Sequence, residues 1–126
     1  MWLLNNLLYY LLIIPVSLLP YPLLYGLSDI LFVIFYYIVG YRKKVVVSNI
    51  QRSFPYKTPA EQAAICKEFY HHFCDLILES LKVFTISEKE VKERMIFANP
   101  ELVDSYFEKG KSMILAGGHY NNWELF

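Results

Sequence analysis

The chain has 126 residues, 56% hydrophobic and 19% charged, with 12 Lys+Arg against 12 Asp+Glu. Such hydrophobicity excludes a disordered chain, and the length allows one small domain at most. The zero charge balance argues against a nucleic-acid partner, which would need a basic footprint. The two cysteines, Cys66 and Cys74, would lie about 12 Å apart on a shared helix. That is too far for a disulfide and fits a reducing compartment.

The charges are unevenly placed. Residues 1–41 contain one, Asp29, and every other charge lies from Arg42 onward. We therefore divide the chain into membrane-anchoring helices over 1–41 and a soluble part over 42–126, long enough for a modest core. Residues 7–25 are apolar apart from Ser17 and the prolines Pro15, Pro20 and Pro22. They lack the basic start and small-residue cleavage site of a signal peptide. The prolines predict a helix break between Pro15 and Pro22, and Pro22 suits the first position of a new helix. Residues 22–39 are near the lower limit for spanning a bilayer. Two arrangements satisfy this pattern: a short helix followed by a spanning one, or a helical hairpin within one leaflet. Arg42, Lys43 and Lys44 follow directly, and cations flanking an apolar helix mark the cytoplasmic side. The tyrosines from Tyr9 to Tyr41 suit an interfacial belt.

A helical stretch over 45–53 stops at Phe54-Pro55. Thr58-Pro59-Ala60-Glu61 is a capping box with proline at the first helical position. It opens a helix to about Phe84, with an apolar stripe of Cys66, Phe69, Phe73, Leu76, Ile77 and Phe84. Lys67, Glu68, His71, His72, Asp75, Glu79 and Lys82 form its polar stripe. His71, His72 and Asp75 have the spacing of helical metal ligands, but ordinary i,i+4 pairing explains them better, and no metal is expected. Ser87 to Glu90 is a second capping box, opening a short charged helix to about Arg94. Residues 95–98 read as a strand. Asn99-Pro100-Glu101 starts a further helix that stops at Gly110, and residues 112–116 read as a second strand running into Gly117-Gly118-His119. Strand, helix, strand and glycine turn begin a βαβ layer. The expected fold class is α/β: N-terminal membrane helices, a helical segment, then the start of an incomplete sheet.

The chemistry concentrates after the second predicted strand. Functional groups in α/β layers gather at the carboxyl ends of strands, where His119 would stand. If Asn121 or Asn122 caps a helix, Glu124 falls in its first turn and can reach back to the imidazole. A carboxylate on one ring nitrogen fixes the tautomer and leaves the other as a base. Such a pair takes a proton from a substrate hydroxyl. No Ser or Cys stands beside His119 as a nucleophile, and a G-x-S-x-G elbow is absent. A turn histidine with a helix-capping glutamate has the same spacing.

Gly118-His119-Tyr120-Asn121-Asn122-Trp123-Glu124 resembles the H-x4-D/E signature of the lysophospholipid acyltransferase superfamily. It is most similar to the GHxGNWE-like form of the bacterial late acyltransferases of lipid A biosynthesis, the lauroyl/myristoyl type. The apolar N-terminus, the stretch from Arg42-Lys43-Lys44 to Asn49-Ile50, Phe54-Pro55 and Gly110-Lys111-Ser112 agree in order and spacing. The resemblance thus covers essentially the whole chain. It implies that residues 42–126 are the N-terminal part of a cytoplasmic acyltransferase domain on the bacterial inner membrane. It further implies His119 as general base, Glu124 as its orienting carboxylate, and Gly117, Gly118 and Asn121 as turn formers. Arg42, Lys43 and Lys44 could bind phosphate groups, either of lipid headgroups or of the substrate. The donor would be an acyl thioester on acyl carrier protein or coenzyme A, used as co-substrate with no bound cofactor. The acceptor would be a hydroxyl of a lipid A precursor or related amphiphile. Asn121 departs from the glycine usual in the family, although Asn tolerates a left-handed backbone. Family members are more than twice this length and carry later arginine and asparagine motifs, so residues 1–126 are expected to be inactive alone. The rival readings are a glycerolipid or aminolipid acyltransferase, and a membrane-anchored remnant without activity.

Overall fold

A computed structural model describes residues 2–114, 116–118 and 122. The chain forms two compact units, Met1–Thr85 and Ile86–Phe126. In the first, α1 (Trp2–Leu8) passes through a π-helical segment, Tyr9–Ile13, into α2 (Ile14–Ser17). The expected proline break falls at 18–20, where Pro20 is extended and caps α3 (Tyr21–Val33), which a π-helical segment, Ile34–Val39, prolongs. The helix Tyr21–Val39 is, by length and composition, long and apolar enough to cross a membrane. It ends at Gly40, whose φ of 61° is the left-handed conformation that releases a chain from a helix. The N–H groups of Gly40 and Tyr41 both donate to the Phe35 carbonyl.

The helix α4 (Lys43–Ser53) begins two residues earlier than its apolar pattern predicts and ends at Phe54. Both halves of the Thr58 capping box form, opening α5 (Pro59–Lys82). The long helix α5 is the spine of the unit, with α2, α3 and α4 all packed against it. Its buried residues are Cys66, Tyr70, Cys74, Leu78 and Lys82, a strict every-fourth-residue row. This corrects the predicted stripe: of its residues only Cys66 is buried, Phe73, Leu76 and Ile77 are half-buried, Phe69 and Phe84 are exposed, and Tyr70, Cys74, Leu78 and Lys82, the last predicted polar, complete the buried row. The core around that row takes Phe32 from α3 and Ile50 from α4. Both cysteines are free and buried, and loss of hydration pushes both thiols up.

The antiparallel contact of α3 with α5 is also polar. Tyr25 donates to Glu79 at 2.6 Å, and the Tyr70 hydroxyl donates to the Tyr41 carbonyl. Beyond the start of α3, Lys82 Nζ donates to the Leu19 carbonyl at 2.9 Å and Thr85 donates to the Ser17 carbonyl at 2.6 Å. Lys82 is buried because its stem packs in the row while its ammonium satisfies a carbonyl freed at the helix break.

In the second unit the Ser87 capping box forms and opens α6 (Glu88–Arg94). The last helix, α7 (Pro100–Glu108), follows Asn99, whose side chain makes no capping bond, and Gly110 takes the left-handed stop at φ 62°. Among the described residues there is no strand. Residues 95–97 and 111–114 are without regular structure, and Ile96 and Ile114 are 80% and 97% exposed. A strand exists only through a neighbour's ladder, and the described residues supply none.

Candidate functional site

The basic corner joins α3 to α4. Gly40 turns the chain left-handed, and Arg42 does so again at φ 50°. For a residue with a Cβ that conformation is unfavourable by roughly 1–2 kcal/mol. Arg42, Lys43 and Lys44 are all exposed there. Lys43 Nζ lies 3.4 Å from the Tyr36 carbonyl and 4.0 Å from the centre of its ring. It is thus held against the end of the apolar helix, with a cation–π contact. Cations at a helix N-terminus oppose the helix dipole, so the trio is unfavourable for α4 and its placement favours an external anion. A groove of about 710 Å³ runs past all three residues to Ser48 and Gln51. A second, of about 360 Å³, lies between Arg42 and the aromatic rings of Phe69, Tyr70 and Phe73. The corner combines positive charge, open space and apolar walls, as an amphiphile with an anionic head requires.

His119, Glu124 and Asn121 lie outside the described residues. Gly117 and Gly118 are described. Neither has the left-handed backbone, and a Cβ on either would meet nothing within 4 Å. Glycine is therefore not forced there by packing among the described residues.

Asp29, the charge of the apolar third, has its partner on α5. His71 Nε2 is 2.8 Å from Asp29 Oδ1, and His71 Nδ1 is 3.5 Å from Asp75 Oδ2. The lone charge of the apolar third is thus tied to the polar stripe of α5. A signal was available: an ionisable residue within an apolar segment needs a partner, and His71 is well placed to provide one. Among the described residues no group of three His, Cys, Asp or Glu could hold a metal.

A sequence model of the bacterial lipid A biosynthesis acyltransferases matches residues 1–126. Neither a curated protein nor a solved structure matches the chain. The family match extends over the apolar helices, the basic corner, the α5 spine and the glycine-histidine segment, and the chain belongs to the bacterial lipid A biosynthesis acyltransferase family.

Proposed function

We propose that the chain takes part in transfer of a fatty acyl group from an acyl thioester to a hydroxyl of a lipid A precursor at the cytoplasmic face of the inner membrane. The observation that carries this reading is the family match over residues 1–126, joined to the Gly118-His119 to Glu124 motif within it. One ring nitrogen of His119 removes the proton as the acceptor oxygen attacks the thioester carbonyl, and Glu124 holds the other nitrogen. The tetrahedral intermediate collapses, the carbon–sulfur bond breaks, and the imidazolium returns its proton to the leaving thiolate. A thiolate leaves readily, so positioning and proton removal are the main demands. The donor is acyl carrier protein or coenzyme A carrying the acyl chain. Arg42, Lys43 and Lys44 bind phosphate of the acceptor or of the surrounding lipid. Residues 95–98 and 112–116, which form no strand among the described residues, become the first strands of an α/β sheet where further strands supply the ladder, and Gly117, Gly118 and Asn121 shape the turn that presents His119.

The test is a transfer assay on the product of the complete reading frame, with a panel of acceptors. His119→Ala is expected to lower transfer by a factor of about 100 to 10,000, the usual contribution of a general base. Glu124→Gln is expected to lower it less, with the histidine retained but poorly oriented. Transfer to lysophosphatidic acid and not to a lipid A precursor would replace the acceptor assignment. Full activity of His119→Ala would remove the catalytic one.

A further inference from the structure

We propose that α1–α3 enter only one leaflet of an anionic phospholipid bilayer, so that both ends of the helix Tyr21–Val39 face the cytoplasm. The proposal rests on the membrane part of the reading above and decides between the two arrangements its sequence allows. Contacts from α5 and the Thr85 that follows it begin just before the helix Tyr21–Val39 and continue along it: Thr85 and Lys82 reach Ser17 and Leu19 ahead of its start, Glu79 reaches Tyr25, and His71 reaches Asp29. At the far end, Tyr70 stacks edge-on with Tyr36 and bonds the Tyr41 carbonyl. A bilayer crossed by α3 in this packed state would also be crossed by α5, carrying Asp75 and Glu79 with it beside Asp29. Each charge near the middle of a membrane helix costs about 2.5–3.5 kcal/mol, and by length and composition α5 is not among the candidate spans. Spanning and packing exclude each other.

Lying in the interface satisfies both. The residues of Tyr21–Val39 facing away from α5 are apolar: Leu23, Ile30, Val33 and Ile38 are exposed. They share one side of the helix, opposite buried Leu24, Ser28 and Phe32. Trp2, Leu7 and Leu11 in the preceding segment are exposed as well. An apolar face sinks about 5–10 Å into one leaflet, while Asp29 stays on the α5 side with His71. Arg42, Lys43 and Lys44 complement an anionic headgroup layer, which selects a lipid surface over a protein partner as the occupant.

The test uses the full chain expressed in bacteria, in two parts read by peptide mapping, with the buried native cysteines left in place. Leu18→Cys and Phe84→Cys, both at exposed positions, are joined by a short bismaleimide in membrane vesicles and in detergent. In a second variant, Lys89→Cys, four residues beyond Thr85, is labelled by an impermeant maleimide from outside intact cells or in inverted vesicles. The expected result is crosslinking in both media and labelling of Lys89→Cys in inverted vesicles alone. Crosslinking in detergent but not in membranes would show that α3 parts from α5 to span, and overturns the proposal. Crosslinking in neither medium removes the packing on which it rests, and labelling from outside places the pair across the membrane; either overturns it. A chain that fails to sediment with membranes refutes the membrane part of the proposed function too. The other failures leave acyl transfer standing.

Discussion

Thr58 and Glu61 hold the start of α5 by a reciprocal pair of bonds. The Thr58 N–H donates to Glu61 Oε2 at 2.7 Å, and the Glu61 N–H donates to Thr58 Oγ1 at 3.3 Å. The Thr58 backbone N–H, followed by its hydroxyl, holds the Glu61 carboxyl below its ordinary value of 4.5. A depressed carboxyl contributes stability that is present above the unfolded value and is lost as pH falls through the folded one. Two outcomes follow in urea unfolding. Thr58→Ala is expected to lose about 1 kcal/mol near neutral pH, the usual cost of a missing cap. Glu61→Gln is expected to be less stable than the native chain at neutral pH, with the gap closing as pH drops below 4.5. A gap unchanged by acid would show that the charge of Glu61 does not support the cap.

At the scale of elements, α5 decides the fold of the first unit. Its row of Cys66, Tyr70, Cys74, Leu78 and Lys82 is what α2, α3 and α4 cover. Tyr70 is 1% exposed, and its hydroxyl ties the spine to the carbonyl after Gly40. Tyr70→Phe keeps the ring packing and removes that bond alone. The expected loss is about 0.5–1.5 kcal/mol, rising if the Tyr41 carbonyl finds no water, measured as a fall in the urea midpoint at unchanged slope. The helix starts were legible in the sequence, because Thr58, Ser87 and the prolines act within a few residues of themselves. The buried row was only partly legible. Periodicity locates an apolar side, but the partner's shape and its open carbonyls choose which residues go deepest: the Tyr41 and Leu19 carbonyls draw in Tyr70 and Lys82, while Phe69 stays outside. The link from Asp29 to His71 joins residues far apart in sequence, so it needs the fold to appear. The strands expected at 95–98 and 112–116 depend on ladder partners that no local pattern supplies. His119 and Glu124 were legible only through the motif around them.

For the whole molecule, the question is what holds it at a membrane and how the two contributions separate. In the proposed membrane contact the exposed apolar face of α1–α3 would supply a term that salt does not screen. The basic corner would add there about 1 kcal/mol per Lys or Arg near an anionic surface, decaying within a Debye length of about 8–10 Å. The three cations are not equivalent. Lys43 is fixed against Tyr36, whereas Arg42 and Lys44 project from the start of α4, Arg42 from a left-handed backbone. Glutamine at Arg42 keeps a Cβ and hence the same backbone penalty, so Arg42→Gln isolates the charge. Arg42→Gln with Lys44→Gln is expected to weaken binding to anionic vesicles roughly 10- to 30-fold at low salt, about 2 kcal/mol. Adding Lys43→Gln should matter less than either. The difference should shrink toward zero in high salt and be absent on neutral vesicles, where the apolar face acts alone. Loss of binding to neutral vesicles in the same variant would mean that the corner supports the fold of α4 and not the membrane contact. Circular dichroism of the variant distinguishes the two, since a damaged α4 loses helix and a missing charge does not.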